Sequence, residues 1–541
     1  MADAVLASDQ RAALHALRAR RSARRTGDVH WIDVLYQAYL TGIIVVLAVV
    51  FASGWVGDDP VSAAGVARIR TDGPAVVGLV VALAVAVGLR SGSRGGPLAL
   101  EEADVRHVML APLPLGTVLR APALRQLQFL VFAGAAVGGV AGQLAFRRLD
   151  GNAAAWIGSG ALLGATTAAL AVGLGWVAAG RRLDPRLCTA VGLALVGWDA
   201  LDLAGTGPVA PTSVVGRMAV WDLRLDPLAL VGVVVAVVAV AVGLAGLGGL
   251  SLESAQRRSA LVGQLRFAAT MRDLRTVIVL RRQLAQERPR TRPWLRARRR
   301  GPATVVARGW RSLLRTPAGR VARVVALAAG AGLAAKAAWE GTTPMLLVAG
   351  LATFVAALDV IEPLAQEVDH PTVLDLAPVE RGAVHVRHLV VPGLAMVAAG
   401  VVALGAVAVT GLSAEGAEVA ALTVVPAALA AVAGAVVSVV RAAPGAATNQ
   451  VVMASPEAAG MHVLFQTAIP PALAVAGFLP VVLGRSALDA GESAAGGAWT
   501  GVMVVGGVVV LVAGWVRQRD RIAEWMEVSR RQAGAGRIGE G

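Results

Sequence analysis

The chain has 541 residues, 56% of them hydrophobic and only 16% charged, against roughly 25% charged in an average soluble domain. That balance excludes an ordinary soluble globular protein and points to a membrane protein. The formal charge of +15 sits in one stretch: residues 251–320 hold 18 Arg against three acids, and the rest of the chain balances at 32 basic and 32 acidic residues. A polybasic run beside apolar segments sets topology and meets anionic lipid. Its aromatics, Phe267, Trp294 and Trp310 among 18 Arg, are too sparse to stack successive bases, so no nucleic-acid partner is expected.

The single cysteine, Cys188, excludes an internal disulfide and any multi-Cys metal site. The single lysine, Lys336, lies between alanines, so the chain has no GxxxxGK[ST] loop. Any ATP used must be bound by another chain. The first 34 residues are Arg-rich and lead into an apolar run long enough to stay in a bilayer, which argues against a cleaved signal peptide.

A hydrocarbon core of about 30 Å takes roughly 20 apolar residues in a helix, and twelve stretches qualify. In chain order they are residues 35–53, 75–89, 126–146, 155–179, 187–204 and 228–250, then 321–338, 344–361, 389–410, 419–440, 465–484 and 501–516. The expected fold is therefore an all-α polytopic bundle of two six-span halves. Around the halves (35–250 and 321–516) lie a basic N-terminus (1–34), the connector (251–320) and a tail (517–541). With the N-terminus inside, 42 of the Arg fall on the cytoplasmic side and seven on the other. Both termini are then cytoplasmic, with the protein in the cell's inner membrane.

Within the connector, Leu261, Leu265, Ala268 and Ala269 recur near helical spacing among arginines, as in a helix lying on the bilayer surface. Val306, Trp310, Leu313 and Leu314 form a second such stripe with Arg308, Arg311 and Arg315 on other faces, leading into the seventh span. Anionic lipid head groups are the expected contacts.

Charged groups inside spans are functional candidates. Asp199 and Asp202, three apart in the fifth span, form either a polar face toward a substrate or proton path, or the end of a span that stops early at the outer interface. Lys336 and Glu340 are spaced to pair near the outer surface. Asp359 and Glu362 close the eighth span, and His385 and His388 stand at the entrance to the ninth. Gly134, Gly138 and Gly142 on the third span and Gly160 and Gly164 on the fourth make GxxxG steps that permit close helix approach. Pro470 and Pro471 are expected to break or kink the eleventh span. No HExxH, GxSxG or paired-acid arrangement occurs. No catalytic residue, metal or cofactor is assigned, and the chain is not expected to be an enzyme.

The halves repeat. Laying residues 97–120 on 363–386 without a gap matches Pro97/Pro363, Leu98/Leu364, Ala99/Ala365, Glu101/Glu367, Leu110/Leu376, Ala111/Ala377, Pro112/Pro378, Gly116/Gly382 and Val118/Val384. Each copy falls between the second and third span of its half. Six spans per half make the repeats parallel, related by an axis along the membrane normal. Each copy reads as a short helix, with a Pro start, an acidic first turn (Glu101, Glu102, Asp104; Glu367, Asp369) and an Ala-Pro stop. The alternative is a solvated linker retained for folding.

Six spans per half, a basic start and the segment GPLALEEADVRHVMLAPLPLGTVLR after the second span resemble the permease subunits of type-2 ABC exporters. More narrowly, the chain is similar to Arg- and Ala-rich actinobacterial membrane proteins that fuse two such halves. The resemblance implies coupling helices for a separate, dimeric ATPase at Pro97 to Pro112 and at Pro363 to Pro378. The long basic connector departs from an unfused permease. The rival readings are an ion-coupled secondary transporter working through Asp199 and Asp202, and a membrane scaffold recruiting partners through the connector.

Overall fold

The computed structural model describes residues 60–96, 114–251, 305–369, 380–441 and 468–538, with isolated positions such as Leu98, Met109, Pro293 and Trp294. The first candidate span, most of the connector, and Pro97, Glu101, Glu102, Asp104, Pro112 and Pro378 lie outside the described residues. The described residues contain helices and no β-strand. The chain divides into two compact units at Met271/Arg272, inside the stretch read as a connector.

In the first unit, α1 (Ala63–Gly92), α2 (Leu115–Phe146), α3 (Ala153–Gly180) and α4 (Pro185–Leu203) are followed by a short α5 (Pro211–Gly216) and by α6 (Leu230–Gly246). Sequence chemistry sets the starts. The Ser62, Asn152 and Asp184 side chains accept from the N–H groups of Gly65, Ala154 and Arg186 at 3.2, 2.8 and 2.5 Å, satisfying donors that a helix N-terminus leaves orphaned. Pro185 and Pro211 occupy first-turn positions where their missing N–H costs nothing. Before α6, Asp226 accepts from the Leu228 N–H at 3.0 Å and from Arg217 at 2.7 Å. Those contacts, the backbone one first, hold its carboxyl below the usual carboxylate range.

The second unit runs α7 (Val305–Leu313), α8 (Ala318–Trp339), α9 (Met345–Val360), α10 (Glu362–Asp369), α11 (Arg381–His388), α12 (Val390–Val409), α13 (Ala414–Arg441), α14 (Ala468–Ala476), α15 (Leu479–Asp489) and α16 (Ala494–Ile538). At 1.5 Å per residue α16 is about 68 Å long, longer than a bilayer with its head groups at about 45 Å.

Among the described residues, eight helices are long and apolar enough to cross a membrane, and ten if two bent pairs each count as one span. Of the twelve expected, the first lies outside the described residues. The fifth, α4, is helical but does not reach the apolarity of a span, because Arg186, Asp199 and Asp202 share 19 residues with the apolar ones. Phe129, Phe132 and Val137 on α2 and Val510 and Leu511 on α16 are about 70% exposed. Such side chains belong in hydrocarbon, and the protein is a multi-pass membrane protein.

The two bends have different causes. The chain turns by 62° between α9 and α10, where Pro363 cannot donate to the preceding turn and clashes with it. It turns by 47° between α14 and α15. That break falls at Gly477 and Phe478, just ahead of Pro480, and not at Pro470 and Pro471, which sit within α14. A proline displaces the residues before it from helical geometry, so Pro480 ends the helix upstream.

Each unit has one central helix. In the first, α3 packs on α1, α2 and α6. The glycine steps of α2 and α3 meet antiparallel: a Cβ on Gly134, Gly138 or Gly142 would stand 2.4, 2.0 or 2.0 Å from the carbonyl oxygens of Gly164, Gly160 and Trp156. No side chain fits there, so the backbones touch and gain dense van der Waals contact. In the second unit α13 packs on α9, α12 and α16. The most apolar stretch of α13 is 78% buried, more than any other candidate span, through Ala428, Ala431, Ala435, Val436 and Val440.

Gly138→Ala is expected to lower the thermal unfolding midpoint in detergent by the equivalent of about 1–3 kcal/mol through overpacking. Gly139→Ala, whose Cβ would meet nothing nearer than 3.6 Å, should leave it unchanged.

Candidate functional site

Of the second copy of the repeated loop, residues 363–386, the structure describes α10 at its start and the first part of α11 at its end, with 370–379 outside the described residues. Leu364 and Ala365 are fully buried and Val368 nearly so, packed into the core that α9, α12 and α13 share. Spacing of i, i+1 and i+4 puts the three on one helical face, while Gln366 is exposed. Helix α10 therefore buries its apolar face in the core of the unit.

Glu367 does not face outward, although the resemblance implies a partner contact for it. Its side chain is 10% exposed and accepts from Arg308 Nη2 of α7 at 3.1 Å. On its other side, His388 Nε2 of α11 approaches Oε2 to 2.5 Å, off the line of a hydrogen bond. One carboxylate thus ties together α7, α10 and α11. Next to this link, Arg323 of α8 forms a two-pronged ion pair with Asp359 of α9, its Nε donating to Oδ2 at 2.6 Å. Pro363 takes its place in the first turn of α10, and Asp369 ends that helix. On α11, Gly382 lies so close to α16 that a Cβ would stand 2.0 Å from the Arg517 carbonyl oxygen. Arg521 of α16 reaches Glu380 at 3.1 Å.

Three matched pairs are described in both copies. Leu98 and Leu364 are buried, as are Val118 and Val384. A Cβ on Gly116 would meet Gly248, just past α6, at an ordinary 3.7 Å, whereas one on Gly382 would stand 2.0 Å from the Arg517 carbonyl oxygen of α16, so the two glycines differ in how tightly they pack. These identities are packing positions.

Asp199 has no surface exposure. Ser213 Oγ of α5 donates to its Oδ1 at 3.0 Å and Thr212 Oγ1 donates to its Oδ2. Gly78 of α1 leaves the room: a Cβ there would lie 2.6 Å from Asp199 Oδ1. Asp202 has a separate role, accepting from the Ala210 N–H at 2.9 Å and so anchoring the chain that enters α5. The structure places Asp199 inside the protein and does not bring Asp202 to the same point. Thr212 and Ser213 went unnoticed in the sequence because they lie in a segment read as an outer loop, with only Pro211 to signal a helix start. No cation pairs with Asp199 among the described residues.

Lys336 of α8 donates to the Thr410 carbonyl and hydroxyl oxygens at 2.9 and 3.1 Å and lies 3.6 Å from Glu340. It borders an apolar cavity of about 80 Å³ between α8, α12 and α13, room for little more than a few water-sized groups. His385 and His388 are buried, and no group of three His, Cys, Asp or Glu side chains able to hold a metal occurs among the described residues.

Asp199→Ala strands two buried hydroxyls and should cost about 1–3 kcal/mol. Combined with Thr212→Val, the loss in the double variant should fall short of the sum of the single losses, as read from unfolding midpoints in a double-mutant cycle. Separately, Glu367→Ala should speed hydrogen exchange of the Leu364 and Val368 amides by about tenfold or more, because α10 loses a charged anchor. Exchange within α3 should stay as it was.

Comparison with models of known protein families, with curated proteins and with solved structures gives no match.

Proposed function

We propose that this chain is the membrane permease subunit of an ABC-type exporter, in which a separate ATPase docks on the repeated loops and drives the helix bundle. The observation that carries the reading is the α9, α10 and α11 elbow. A short helix leaves a span at 62°, buries one face in the bundle and is fixed to its neighbours by Glu367. A push on the exposed side of α10 would be passed to α9, to α12 through α11 and to α7, as a coupling element requires. The central helices α3 and α13 each pack on the second, third and sixth spans of their own half, which supports two equivalent six-span halves. The lack of a phosphate-binding loop on the chain fits a division of labour with an ATPase dimer. Both termini are cytoplasmic in this reading, and the basic connector lies against anionic head groups. The substrate class is hydrophobic or amphipathic.

Glu367 is then a positioning residue, and Gln366 is the exposed group on the partner side. Glu101, Glu102 and Asp104 would act in the equivalent helix of the first half. A second reading, an ion-coupled secondary transporter, draws on Asp199, a buried carboxyl met by two hydroxyls.

Purification of the native complex under mild detergent should bring down a second chain carrying GxxxxGK[ST]. The permease should stimulate its ATPase activity, and Gln366→Arg should weaken that stimulation while the protein still inserts and folds. Absence of any such chain sinks the exporter reading. Proton-driven uptake into vesicles without ATP, abolished by Asp199→Asn, would establish the second reading in its place.

A further inference from the structure

A groove of about 1,060 Å³ in the second unit is lined by α7, the start of α8, one face of α12 and, where α9 meets α10, Asp359, Glu362, Pro363 and Gln366; it is slightly larger than the roughly 300–1,000 Å³ typical of ligand pockets. Its two walls differ in chemistry. Val321, Val325, Leu394 and Val402 present apolar side chains that are 37–52% exposed. Arg311, Arg315 and Arg320 line the other end and pair with no carboxylate among the described residues.

The nearby acids are already engaged. Asp359 is held by Arg323 and Glu367 by Arg308, so the three remaining arginines outweigh Glu362 at the groove. Trp310, 39% exposed, also lines the groove, and an amphipathic ring of this kind favours a membrane interface. The Trp294 N–H donates to the Leu314 carbonyl at 2.9 Å and its indole to the Thr316 carbonyl at 2.9 Å, fixing the turn that joins α7 to α8.

We propose that this groove is a binding site for one anionic phospholipid of the surrounding leaflet, its phosphate held by Arg311, Arg315 and Arg320 and an acyl chain laid along Val321, Val325 and Leu394. Guanidinium groups bind phosphate oxygens through paired, directed N–H donors, and the apolar wall rejects a free inorganic ion as a complete occupant. The site is more specific than general attraction of a basic connector to a membrane, since it requires both walls at once. It rests on the membrane-spanning reading and needs no ATPase, so its failure leaves the exporter proposal standing; the residues the two share, Pro363 and Gln366, are left unchanged in the lipid test.

The test is native mass spectrometry of the full chain in detergent, titrated with dioleoyl phosphatidylglycerol or dioleoyl phosphatidylcholine. The expected result is preference for phosphatidylglycerol by about tenfold or more, lost in Arg311→Gln/Arg315→Gln/Arg320→Gln. It should also be lost in Leu394→Trp, which fills the groove and keeps every charge. Arg68→Gln/Arg70→Gln, which removes two exposed cations from α1, should retain the preference. If the triple variant does not fold, Arg315→Gln and Leu394→Trp together carry the test. Equal retention of the two lipids, wild-type retention in Leu394→Trp, or full displacement by millimolar inorganic phosphate would overturn the proposal.

Discussion

The contact on which the second unit's chemistry depends is the carboxylate of Glu367 held between Arg308 and His388. A short helix such as α10 has too few residues to be stable alone, and its buried Leu364, Ala365 and Val368 fix its face without fixing its direction. The charged link supplies direction. It joins α7, α10 and α11 through one side chain, and it takes up the acidic group that would otherwise be the most obvious surface contact. A buried acid with a cation on one side and an imidazole on the other is costly to break because the survivor is left uncompensated.

Beneath that link, each unit rests on a central helix that tolerates almost no side-chain volume at its contacts. The α2 and α3 pair meets backbone to backbone at alternate glycines, and α13 is an Ala- and Val-lined rod buried on most of its surface. In hydrocarbon there is no hydrophobic force to join helices, so this close approach, with its dispersion contacts, carries the packing. It also explains the composition: a chain rich in Gly and Ala is one whose helices must come close.

The sequence made the glycine steps legible because GxxxG spacing reports a surface on a helix, and the two surfaces do face one another. The proposed repeat rests on matched letters. What the letters meant was not legible: Leu364, Val384 and Gly382 are packing positions, and Glu367 is an internal anchor, none of which spacing alone distinguishes from a surface patch. The Asp199 cluster was half legible. A carboxylate among apolar residues stood out, but its partners Thr212 and Ser213 come from α5, thirteen and fourteen residues on, in a stretch whose composition reads as a loop. The kink at Gly477 was placed too early because Pro470 and Pro471 are tolerated inside α14, while Pro480 acts on the residues before it.

With Glu367 joining them, α7 and α10 should move as one body. Electron–electron distance measurement between spin labels at Arg311 and Gln366, both exposed, in a chain with Cys188→Ala to remove its one native thiol, tests this directly. A single narrow distance distribution that broadens in Glu367→Ala is the predicted result. A broad distribution with Glu367 intact, or a narrow one that survives its removal, would contradict it.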